Sequence, residues 1–490
     1  MLQQNFSFGM DYKFPIFNKD MQEQSDCYVL YSKSLTIQID LNKDIQELQQ
    51  AVDYCLSHPN EEKSWSNLDD LFQYGLYKHL TQEHSILIIK AFYQYFQTHS
   101  FATISSIRTI QKCLQKYCSF IPPDFIDFLF RFSLSNINCN SKMSLIDNSL
   151  IIIYIILPFT NETQRAFFLQ YFLSFYPKIS LMDSFPNSSF LVCIYKYFEI
   201  CSFVEALPSF RQLSHIIFSF LPNKLWGLSY EPVNIIETAI LKDPNICLFI
   251  LQPELNFIPI LTELVSQKQE ALSKISIDLF TTVINLLKGI PKECQVENKV
   301  NLILNITESS KMLLDFNNAA INCLPTPFEK LEISIIRCIT SLLQIGLDPS
   351  QMKISNLFDL FEKHKHMNYK HKKEILSFAS IALQKAPSLF LQPFIESPNS
   401  MIIELIFESI YDSDWKVLFN SLNITLILIR MRKLFLQNTK CKVNRNNEKF
   451  TDHFLGVFDP SAIDLDEIKL SENEEIRHLA FLIDDEINNE

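Results

Sequence analysis

Apolar residues recur at i, i+3, i+4 and i+7 in block after block of this chain, the period at which one face of an α-helix meets a core. Strict two-residue alternation, the mark of a half-buried strand, is confined to Tyr28–Ile39. The pattern predicts a nearly all-helical chain of about twenty helices. Proline punctuates it. Pro59, Pro122, Pro158, Pro177, Pro208, Pro222, Pro244, Pro291, Pro325, Pro349, Pro387 and Pro398 are expected mostly between helices, where a missing N–H costs least. The most apolar run, LIIIYIILPF over Leu150–Phe159, stops at Pro158 after about half the length of a bilayer crossing. It is expected to be a buried core helix. Ile424–Ile429, closed by Arg430 and Arg432, reads the same way.

The longer helices are expected to end near residues 119, 160, 203, 243, 289, 346, 386 and 437. These ends are mostly spaced near the ~40 to 47 residues of stacked helix-pair repeats. One block is more specific. In Leu255–Gly289, Ile258, Pro259, Leu261 and Leu264 lie on a short helix, Gln267–Glu270 form a polar turn, and Ile275–Leu287 form a long helix closed by Gly289. Ile354–Ala386 repeats the shape, with Leu357 and Leu360 before a Lys-His turn and Ile375, Leu376, Ala379, Ile381 and Leu383 after it. These blocks resemble armadillo repeats, and the chain resembles the armadillo/HEAT superfamily of helical repeats. The resemblance implies an all-α, α-α superhelix whose third helices line a groove for a peptide or partner helix. Asn285 matches the Asn that clamps the ligand backbone in peptide-binding members, while Thr281 stands where their Trp would be. The nuclear-import adaptor mode is therefore not what the resemblance implies here.

Composition agrees with this class. Only 6 of 490 residues are glycine, against an average of roughly one in fourteen. No two glycines lie within five residues of each other, so neither a P-loop nor a dinucleotide fingerprint can be written. HExxH, CxxC and GxSxG do not occur either. The sequence thus predicts no enzyme, no catalytic residue and no cofactor. With 47% hydrophobic and 20% charged residues the chain has the material for a continuous core. The 42 phenylalanines fall at helical spacing and are expected in that core.

The twelve cysteines sit mostly among apolar neighbours, as Cys193 and Cys338 do, and read as reduced core residues. The first thirty residues lack a basic start followed by an apolar run, so no secretory signal is expected, and the sequons at Asn5, Asn161, Asn187, Asn305 and Asn423 carry little meaning. A cytosolic or nuclear protein follows. His364, His366 and His371 cluster in EKHKHMNYKHKK, but the five lysines among them repel a dication, so a solvated turn is expected and no metal.

The formal charge of −12 is uneven. From residue 461 onward ten acids oppose only Lys469 and Arg477, while seven cations from Arg430 to Lys449 oppose only Glu448. The basic stretch can pair with the acidic tail, which would mask it from nucleic acid and anionic membrane. Ser471 and Glu474 have the spacing of a capping box and predict a helix from about residue 472. Along it Ile476, Leu479, Ala480, Ile483 and Ile487 form one apolar stripe, to be buried either on the last repeat as a cap or in a partner's groove.

The expected organisation is an irregular N-terminal segment over 1–40, a helical-repeat solenoid over 41–437, a polar basic-to-acidic linker over 438–470 and an acidic amphipathic helix over 471–490. The expected function is a protein-interaction scaffold or adaptor, monomeric, with no membrane insertion and no nucleic-acid partner. Its candidate partner-binding residues are Asn285, Ile476, Leu479 and Ile483. The alternatives are a transport receptor-like protein and a helical regulatory subunit of a kinase or phosphatase complex.

Overall fold

The computed structural model describes residues 41–98, 103–138, 141–179, 187–221, 226–289, 310–324, 326–352, 368–387, 389–391, 401–440, 453–456, 458–460 and 463–488. Tyr28–Ile39, His364 and His366 lie outside the described residues. The fold class is all-α, a succession of stacked helix pairs, and the described residues contain no strand. The chain divides into two compact units, Met1–Ile246 and Cys247–Glu490.

The N-terminal unit contains α1 (Leu41–Ser57), α2 (Glu62–Gln73), α3 (Gln82–Thr98), α4 (Ile104–Tyr117), α5 (Pro123–Asn136), α6 (Met143–Ile156), α7 (Glu162–Ile179), α8 (Asn187–Ile200), α9 (Phe203–Phe220) and α10 (Trp226–Lys242). A short helix, α11 (Asn245–Ile250), follows at the division. Odd and even helices alternate as first and second members of five successive pairs. Each even helix packs on the next: α2 on α4, α4 on α6, α6 on α8 and α8 on α10. Their starts at 62, 104, 143, 187 and 226 are spaced by 42, 39, 44 and 39 residues.

The same period appears in the bonds between repeats. Gln111 on α4 donates through Nε2 to the Asn148 carbonyl of α6 at 2.7 Å, in the core. Ser189 on α8 hydrogen-bonds Asp147 on α6, and Cys193 lies against the Leu150 carbonyl. Among the first helices, Tyr171 of α7 donates to the Leu134 and Ile137 carbonyls at the end of α5, and Arg165 of α7 reaches Glu205 of α9. A net contribution of roughly 0.5–1.5 kcal/mol from each neutral bond is small beside apolar burial, but directional bonds fix register.

The apolar run behaves as expected. Leu150, Ile152, Ile153, Ile156 and Leu157 are all fully buried at the centre of the even-helix layer. Aromatic rings fill the space between first helices, with Phe92 edge-on to Phe132 at 5.3 Å and Tyr93 edge-on to Phe128 at 4.7 Å, both from α3 to α5. Two prolines depart from expectation: Pro177 and Pro208 lie inside α7 and α9. Pro177 falls in the last turn, where little helix remains to break. Pro208 cannot bond back to the Val204 carbonyl. The start of α9 is held instead by a capping box, in which Ser202 N–H donates to Glu205 Oε2 at 2.7 Å and Glu205 N–H returns to Ser202 Oγ.

The C-terminal unit contains α12 (Phe257–Ser266), α13 (Glu270–Gly289), α14 (Ser310–Ile321), α15 (Glu329–Gln344), α16 (Tyr369–Lys385), α17 (Met401–Ser409), α18 (Trp415–Lys440) and α19 (Glu474–Asn488). Here α13 packs on α15, α15 on α16, α16 on α18 and α18 on α19, while α12 packs on α14. Phe280 and Phe316 stack at 3.9 Å between α13 and α14. Across both units the second helices end at 117, 156, 200, 242, 289, 344, 385 and 440, each within four residues of its expected end.

Candidate interaction surface

Asn285 is an exposed residue of α13 whose Oδ1 accepts from Ser341 Oγ of α15 at 2.9 Å. The proposed clamp position is thus on the stacked layer of second helices, with its carbonyl engaged in a bond between repeats. Thr281, one turn earlier, donates to the Ile277 carbonyl within its own helix and is buried.

The C-terminal stripe is covered by the chain itself. Ile476, Leu479, Ala480 and Ile483 are buried where α19 packs on α18. The helix starts two residues later than the capping box implied, because Asn473 provides the cap: its Oδ1 accepts from Glu475 N–H at 3.0 Å and Ile476 N–H at 3.3 Å. Ser471 instead accepts from Asn473 N–H and so shapes the turn before it. The basic stretch and acidic tail meet: Glu486 accepts from Arg430 at 2.9 Å and Lys433 at 2.7 Å, and Lys469 pairs with Asp484. Hydrogen bonds from Lys433 and then Arg430 hold the Glu486 carboxyl below its ordinary range.

The Lys-His segment departs most from expectation. Tyr369–Lys373 is the first turn of α16, capped by Asn368, whose Oδ1 accepts from His371 N–H at 3.1 Å. His371 is buried, and its Nε2 lies 3.1 Å from Glu332 Oε2 of α15. The expected solvated turn fails at this residue because the preceding repeat offers it a buried carboxylate. Two of the surrounding lysines are also engaged: Lys372 pairs with Glu408 and Lys373 with Asp414 at 2.6 Å. That lysine bond brings the Asp414 carboxyl down to about 2. Among the described residues no group of three His, Cys, Asp or Glu is placed to hold a metal ion. No described helix is long and apolar enough to cross a membrane.

The feature that no sequence pattern singled out lies at the C-terminal ends of the even helices of the N-terminal unit. Lys116 Nζ at the end of α4 donates to the Leu80 carbonyl beyond α2 at 2.7 Å, and Cys118 Sγ is 3.9 Å from the Ile155 carbonyl of α6. Lys196 Nζ of α8 sits 5.7 Å from the Tyr154 ring centre of α6, and Lys242 Nζ of α10 donates to the Glu199 carbonyl of α8 at 3.1 Å. These contacts join the five helix ends into one continuous edge.

No family model matches this chain, and no curated protein matches it. Among solved structures it is similar to the crystal structure of an engineered protein, with 8% identity over 90% of this chain and 99% of that one and a TM-score of 0.56. The structures of SYS-1 alone and of the SYS-1/POP-1 complex align over the same shares, with 12% identity and TM-scores of 0.31. At 8% identity the likeness to the engineered protein is one of fold alone.

Proposed function

We propose that this chain is a non-enzymatic scaffold or adaptor that binds protein partners along its stacked helices. The observation that carries the reading is the even-helix layer of the N-terminal unit, in which each helix packs on its immediate neighbours and a surface repeats five times. Repeats satisfied by their neighbours can hold an extended face available for a partner. Asn285 remains a partner-facing candidate because it is exposed on the corresponding layer of the second unit. For Ile476, Leu479 and Ile483 the role that burial supports is closure of the last repeat. The test is capture of the tagged chain from native lysate with mild crosslinking and quantitative mass spectrometry. Near-stoichiometric protein partners are expected; a chain recovered alone, with nothing above a tag-only control, would sink the reading.

A further inference from the structure

We draw no further inference here: the strongest candidate, the apolar depression between α3 and the start of α5 lined by Ile86, Ile89, Ile121, Pro122 and Phe125, is an open surface of the N-terminal unit, and nothing in the structure shows what covers it.

Discussion

His371 Nε2 lies 3.1 Å from Glu332 Oε2, with side-chain exposures of only 6% and 5%, and the two residues are 39 positions apart in the chain. That separation is one repeat. The first turn of α16 is thereby bonded to the middle of the first turns of α15, where Glu329 also approaches the imidazole Nδ1 at 3.7 Å. A polar pair taken this far from water is costly to leave half made.

Replacing His371 by Leu takes this bond from the buried Glu332 carboxylate, and replacing Glu332 by Leu takes it from the buried imidazole. Each single change is expected to lower stability by about 2–4 kcal/mol. The double Leu variant is expected to lose clearly less than the sum of the two, because the bond between them can be lost only once. Urea unfolding of the four proteins measures the coupling. Strictly additive losses would show that the two side chains do not act as a pair.

Helix rhythm was legible because each second helix buries one face, and that demand writes the 3.6-residue period into the residues themselves. Partner choice across repeats was not. EKHKHMNYKHKK looks like a solvated turn when read alone; Glu332 and Asp414, which bind His371 and Lys373, lie 39 and 41 positions away. Ser471 and Glu474 had capping-box spacing, yet Asn473 caps the helix, since either residue can accept from the first free N–H groups and local spacing does not choose between them. The exposed edge was illegible for another reason. Phe120 and Phe159 follow apolar helices and read as their continuation, and only the stacking shows that their rings fall outside the core.

Buried thiols should be inert. Burial pushes the Cys55 and Cys118 thiols up to about 12, and raises Cys113 and Cys193 further. Thiolate, not thiol, is the reactive form. Maleimide labelling read residue by residue by mass spectrometry should modify Cys55, Cys113 and Cys193 at least about a hundredfold more slowly in the native protein than in urea, since reaction must await opening. Comparable native and unfolded rates at these three positions would contradict the packing described.

Glu231 on α10 is 5% exposed, and burial alone raises its carboxyl from 4.5 to about 7. The sign follows from linkage. Between pH 4.5 and about 7 the folded state holds a proton that the unfolded state has released, so stability falls as pH rises through this window and stays lower above it. The stability lost across this window is on the order of 3 kcal/mol at most. Glu231→Gln removes the titration, so the variant should melt higher than the parent at pH 8 and nearly the same at pH 4.5. Parallel melting curves for parent and variant across that range would refute the assignment.

The last prediction concerns α19. Its buried Ile476, Leu479, Ala480 and Ile483 face α18, and Glu486 closes the contact with Arg430 and Lys433. Burying an Ile or Leu side chain contributes roughly 1.5–3 kcal/mol, so these residues together outweigh the partly exposed ion pairs, which add less than about 1 kcal/mol each in water. The acids Asp484, Asp485 and Glu486 near the helix C-terminus oppose its dipole, so α19 draws its stability from docking rather than from its own backbone. Deleting residues 471–490 uncovers the matching face of α18, and the shortened chain is expected to melt several degrees lower and to associate through the exposed apolar surface. Ile483→Asp should reproduce most of the loss with the tail still present, because it places a charge in the buried stripe. Glu486→Gln should cost far less. A deletion that leaves melting temperature and oligomeric state unchanged while abolishing a captured partner would show that α19 serves the partner and not the fold.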